Sequence, residues 1–127
     1  MELRMELFVK DIEKSMEFYS NVLGFSLPKD TNKSYISVRN DEVVIGLGEM
    51  KNLPESHPLK APDGQQIGLG VEIVLEVEDV KAVYNKVLAK EYPIQARLTR
   101  RPWGLKDFRI MDPDGYYLRI TSATAND

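Results

Sequence analysis

The sequence predicts an α+β fold of two βαβββ modules. A period-two stretch leading into a capped helix occurs twice, a segment rich in Pro and Gly separates the two occurrences, and each is followed by short strands joined through tight polar turns. At 127 residues with 43% apolar side chains, the chain is of single-domain size and has enough material for one core. The expected organisation is one domain over residues 1–127, with module one over about 1–48, a linker over about 49–70 and module two over about 71–123.

Leu3, Met5, Leu7 and Val9 alternate with Arg4, Glu6 and Phe8, as in a strand with one buried face. Asp11 stands at a helix N-cap position, Ile12, Met16, Tyr19 and Leu23 follow at helical spacing, and Gly24 is placed to end the helix. Residues 25–28 read as a short strand, and 35–38 and 43–47 as two strands joined by a turn over 39–42. Pro54, Pro58, Pro62, Gly64, Gly68 and Gly70 make the next stretch a long loop. The opening pattern then returns: Ile73, Leu75 and Val77 alternate with Glu72, Val74 and Glu76. Asp79 opens a helix carrying Val80, Val83, Tyr84, Val87 and Leu88. Strands are expected near 94–98, 108–111 and 117–121, the last two joined by Asp112, Pro113, Asp114 and Gly115, with the glycine supplying the positive φ.

Composition excludes several function classes. Without cysteine there is no disulfide framework, thiolate metal site or cysteine nucleophile. The charged start is unlike the apolar core of a signal peptide, and no apolar run approaches membrane-spanning length, so a cytoplasmic protein with no membrane partner is expected. Net charge is -3 and the basic residues do not line one predicted helix, which argues against nucleic acid; residues 97–109 alone are locally basic.

The run from Val9 through Lys10, Asp11 and Ile12 to Phe18 and Tyr19, with Leu23, Gly24 and Phe25, and the late run from Met111 through Asp112, Pro113, Asp114 and Gly115 to Tyr116, resemble the vicinal oxygen chelate superfamily. That superfamily includes glyoxalases, bleomycin-resistance proteins and extradiol dioxygenases. The turn Arg101, Pro102, Trp103 and Gly104 looks most like the bleomycin-resistance branch. The resemblance implies a cup-shaped mixed sheet with helices on its outer face, a small-molecule ligand in the cup, and a homodimer.

It also implies four inward positions where metal-dependent relatives place their ligands, and these fall here on Arg4, Gly46, Glu72 and Arg119. A guanidinium has no lone pair to donate, and a single carboxylate falls short of the three or four ligands such an ion needs. No metal and no other cofactor are therefore expected. Arg4 and Glu72 can pair with each other where the ion would sit, or a guanidinium, Arg119 above all, can meet a ligand carboxylate or phosphate. Trp103 is either a lid or an aromatic wall for a ligand, and Phe8, Phe108 and Tyr117, with Tyr35, are candidates to extend that wall. Glu72 is the candidate catalytic base, with Glu6 and Glu76 as further carboxylates; His57 reads as a loop residue, and Asp112 and Asp114 as turn residues.

The leading expectation is a metal-free binding protein of the bleomycin-resistance type that sequesters an aromatic or charged ligand and supports antibiotic resistance. Arg97, Arg100, Arg101, Lys106 and Arg109 around Trp103 oppose a cationic drug. The alternatives are a glyoxalase-like lyase or isomerase using a glutamate base, and a regulatory domain without catalysis.

Overall fold

A computed structural model describes residues 1–124. The chain divides into two units between Gln65 and Gln66, so residues 49–65 of the expected linker belong to the first module and 66–70 to the second.

In the first module, β1 (Met5–Val9) leads to α1 (Ile12–Glu17), which runs on as a π-helical turn (Phe18–Val22), then to β2 (Tyr35–Asn40) and β3 (Val43–Glu49). The Asp11 carboxylate accepts from the backbone N–H groups of Glu13 and Lys14, satisfying two of the orphan donors at the start of α1. The π turn buries two successive side chains, Phe18 and Tyr19. Their rings meet edge to face at 4.8 Å, and Tyr19 meets Phe25 at 5.7 Å. The expected helical stripe is shifted accordingly: Ile12, Met16 and Leu23 are half-buried, and Ser15 and Phe18 take the inner positions.

Three strands form the sheet in the order β1-β3-β2, with β1 parallel and β2 antiparallel to β3. Residues 25–28 do not form the expected strand. They contribute a single bridge, Ser26 to Arg39, so this module keeps one strand fewer than βαβββ requires. Pro28 and the polar residues after it offer little to extend that pairing. Leu7, Val9, Ile36, Val38, Ile45 and Leu47 fill the core face, and burying each contributes about 1.5–3 kcal/mol.

The second module completes the pattern: β4 (Glu72–Val77), α2 (Val80–Ala89), β5 (Ala96–Arg100), β6 (Lys106–Met111) and β7 (Tyr117–Ser122), ordered β4-β7-β6-β5 with β4 parallel to β7. Asp79 caps α2 by accepting from the Ala82 N–H at 3.0 Å. α2 packs on β6 and β7 through Val80 and Val87, whereas Leu88 is exposed. The hairpin turn rests on Asp112, whose Oδ1 accepts from the N–H groups of Asp114, Gly115 and Tyr116 at 2.9–3.0 Å. Gly115 has φ +102°, as the turn requires, and Gly68, φ +81°, lies flat against the Tyr116 ring. The α+β class with mixed sheets and a repeated strand, helix, strands unit is therefore present. Among the described residues no helix is long and apolar enough to cross a membrane.

Candidate functional site

Each sheet buries one face under its own helix and turns the other away, and the charged candidates lie on the second face. In the first module Glu6 and Gly46 are register partners on β1 and β3. A Cβ at position 46 would lie 1.9 Å from Glu6 Oε2 and 2.4 Å from the Tyr35 hydroxyl. Glycine is thus what lets the Glu6 side chain lie down on the sheet. There its carboxylate accepts from the Tyr35 hydroxyl at 2.8 and 3.0 Å and from the Arg4 guanidinium at 2.7 Å. Hydrogen bonding with Tyr35, followed by the charge of Glu6, raises the Arg4 pKa still further above its ordinary value, so the guanidinium is permanently charged. Two residues along each strand, Phe8 lies over Gly48 in the same manner. Arg4, Glu6, Tyr35, Ser37, Arg39 and Gly46 line a shallow polar depression of about 600 Å³.

In the second module, alternation along β6 and β7 sends Asp107, Arg109, Tyr117 and Arg119 to the face opposite α2. Arg109 and Arg119 are cross-strand partners, two cations side by side. Glu72, the first residue of edge strand β4, reaches between them: Oε1 is 3.3 Å from Arg119 Nε and Oε2 is 3.8 Å from Arg109 Nη1. Asp107 is wholly buried, its Oδ1 accepting from Arg101 Nε at 2.8 Å and lying 3.7 Å from Arg109 Nε. Desolvation works against the charge on Arg109, but Tyr117, Asp107 and Glu72 together outweigh it and raise its pKa above the ordinary value. Three buried atoms on this face have no hydrogen-bond partner among the described residues: Asp107 Oδ2, Arg109 Nε and Arg119 Nε. Unmet polar groups of this kind are uncommon in folded proteins and mark places where a water or a ligand is expected.

Trp103 stands in an exposed turn, 56% accessible, held by the Arg101 N–H to Leu105 carbonyl bond at 2.7 Å and the Gly104 N–H to Arg101 carbonyl bond at 2.9 Å. The Arg101 to Asp107 ion pair ties this turn to the charged face of its own module.

The sequence-based site set is thus partly redistributed. Arg119, Glu72 and Tyr117 come together on one face of the second module; Arg4 and Phe8 lie on the corresponding face of the first. Within each module the charged candidates form ion pairs, Arg4 with Glu6 and Glu72 with Arg119 and Arg109. Phe108 is a correction: its ring is 0% accessible and meets Tyr84 of α2 edge to face at 5.0 Å, so it belongs to the core. Neighbouring strand residues face opposite ways, and Phe108 cannot share a face with Arg109 and Arg119. That alternation was also the signal for Arg109 and Asp107, two residues missing from the expected site. His57 stays in its loop, Nδ1 accepting from the Leu59 N–H at 3.0 Å.

The four positions where metal-dependent relatives carry ligands do not fit a metal ion. Two are guanidiniums, one is a glycine, and the carboxylate of Glu72 already lies between two cations. Among the described residues, no three His, Cys, Asp or Glu side chains are grouped so as to hold one.

Similarity to other proteins agrees with this fold. The sequence pattern of the Glyoxalase/Bleomycin resistance protein/Dioxygenase superfamily matches residues 3–120. A lactoylglutathione lyase of Pseudomonas putida is 30% identical over 144 aligned positions, covering 93% of this chain and 82% of that one. Among crystal structures, TioX from Micromonospora sp. ML1 superposes with a TM-score of 0.72 at 17% identity, covering 98% and 97% of the two chains. A glyoxalase/bleomycin resistance protein/dioxygenase from Nocardioides superposes with a TM-score of 0.75 at 18% identity, covering 96% and 83%. The repeated module, its strand order and the match over residues 3–120 together make this chain a member of the glyoxalase/bleomycin resistance protein/dioxygenase superfamily.

Proposed function

We propose that the chain is a metal-free small-molecule binding protein that sequesters an anionic, aromatic ligand at the charged face of its second module. The observation that carries this reading is the pair of buried guanidinium Nε–H groups of Arg109 and Arg119, neither of which has an acceptor among the described residues. Two adjacent guanidiniums match the two oxygens of a carboxylate or phosphate, and Tyr117 beside them offers a ring against which an aromatic body can lie. Trp103 belongs to the same proposal as an exposed aromatic cover. An anionic ligand also removes the objection that residues 97–109 raise against a cationic drug. A homodimer in the cytoplasm completes the proposal, and a sedimentation mass of one chain at micromolar concentration would contradict its dimeric part.

The test is calorimetric titration with aromatic acids and their neutral amides, on the native chain and on Arg119→Gln. Acids should bind and amides should not, and Arg119→Gln should weaken binding roughly 10- to 100-fold, the value of one charge-assisted hydrogen bond. Equal binding of acid and amide would refute the reading.

A second reading is favoured by the similarity to the Pseudomonas putida lactoylglutathione lyase: a lyase or isomerase in which Glu72 moves a proton and Arg119 steadies an enolate. Turnover of a hemithioacetal that is lost in Glu72→Gln would decide for it.

A further inference from the structure

The carboxylate of Glu72 occupies the place that the proposed ligand needs, and the way it is held says how that place is used. A carboxylate built into a guanidinium fork makes two hydrogen bonds near 2.7–2.9 Å. Glu72 instead stands 3.3 Å from Arg119 Nε and 3.8 Å from Arg109 Nη1, while both Nε–H groups go without an acceptor among the described residues. Charge attraction holds it, and directed bonds do not. Its side chain is 35% accessible and belongs to the first residue of an edge strand, so it can swing into water without disturbing β7 or β6. The arginines have no such freedom, since three quarters of each side chain is covered and Arg109 is flanked by buried Asp107. Two fixed cations side by side require an anion between them, and the chain supplies a loose one of its own.

We propose that Glu72 is a displaceable internal counter-ion: a ligand carboxylate takes its place between Arg109 and Arg119, satisfies their Nε–H groups, and sends the Glu72 side chain into solvent. This inference rests on the anion-binding reading above and deepens it. The ligand class it selects is a monoanionic carboxylate, because one planar carboxylate then replaces another and the charge of the cluster is unchanged. It also assigns Glu72 a role opposite in sign to that of a base or metal ligand. Its removal strengthens binding, because the native arginine pair is open to a ligand for a fraction of the time and the apparent affinity is reduced by that fraction.

The test uses benzoate as the anionic probe and benzamide as its neutral counterpart, titrated by calorimetry into the native chain, Glu72→Gln, Glu72→Ser and Arg119→Gln, each first shown to unfold cooperatively. Both Glu72 variants should bind benzoate roughly two- to fivefold tighter than the native chain, the factor expected when a competing, partly exposed ion pair is removed. Benzamide should show no gain, and Arg119→Gln should weaken benzoate binding roughly 10- to 100-fold. In the native chain, the Arg109 and Arg119 Nε–H resonances should shift on adding benzoate. Unchanged or weaker benzoate binding by Glu72→Gln and Glu72→Ser, with Arg119→Gln still harmful, would overturn the displacement and leave the anion-binding reading in place. An equal gain for benzamide would overturn it as well. Benzoate binding indifferent to Arg119→Gln would remove both ideas together.

Discussion

Asp107 is the side chain on which the charged face of the second module depends, and replacing it with alanine gives the most severe test of that geometry. The carboxylate has no solvent contact, takes a 2.8 Å hydrogen bond from Arg101 Nε and lies 3.7 Å from Arg109 Nε. Breaking a buried ion pair by deleting one partner costs about 3–5 kcal/mol when the survivor is left buried and charged. Here both surviving guanidiniums keep 24% of their side-chain surface in water, which lowers the expected loss to about 2–3 kcal/mol. A chain of this length unfolds with an entropy near 0.27 kcal/mol/K, so Tm should fall by about 7–11 °C. Asp107→Asn keeps an acceptor of the same shape for Arg101 and loses the charge, and should cost about half as much. Loss of the pair also releases the turn over residues 101–105, so the fluorescence anisotropy of Trp103, the sole tryptophan, should drop in Asp107→Ala. Calorimetric melting and anisotropy read the two effects separately. A melting temperature within 2 °C of the native protein would show that the ion pair is not what the surrounding structure relies on, and unchanged anisotropy would show that the turn stands without it.

Three further outcomes are expected. Gly68→Ala should cost about 2–3 kcal/mol, combining left-handed backbone strain with a Cβ 2.4 Å from the Tyr116 ring, whereas Gly64→Ala, with a similar φ but open space around it, should cost about 1 kcal/mol; urea unfolding of both measures the ring contact as their difference. Burial, followed by the charge of Asp112, pushes the Tyr92 hydroxyl up to about 12 from its ordinary value near 10. The folded state keeps that proton where the unfolded state has released it. Tyr92 therefore contributes its stabilisation fully below pH 10 and loses it as pH rises through 12, by about 1 kcal/mol once solvent screening of the half-exposed ring is allowed for. Tyr92→Phe should show a correspondingly shallower decline in urea stability between pH 9.5 and 12. Purified protein incubated with nickel or zinc and then desalted should retain well under one ion per chain by elemental analysis, and one tightly held ion per chain would contradict the reading of Arg4 and Arg119.

Local pattern made most elements legible. The caps at Asp11 and Asp79, the alternation in β1 and β4, and the turn over residues 112–115 are properties of a few neighbouring residues, and each appears where expected. The two misses have different causes. The strand expected at 25–28 contracts to the single bridge at Ser26, because pairing at a sheet edge depends on a partner that the local sequence does not describe. Phe108, a candidate for the ligand wall by its aromatic chemistry, lies on the core face, as its alternation with Arg109 dictates.

The sequence by itself determined the repeated module, its helix starts and turns, and the absence of electron-pair donors at Arg4, Gly46 and Arg119, since these follow from backbone periodicity and side-chain chemistry alone. Tertiary structure decided which charges meet. Arg4 found Glu6 two residues away because Gly46 across the sheet left room for that carboxylate, and Glu72 came to rest between Arg109 and Arg119 because β7 lies between β4 and β6. The ion pairs of the second module are set by strand order and register, which bring Glu72 to two arginines more than thirty positions away. No window of local pattern contains that information.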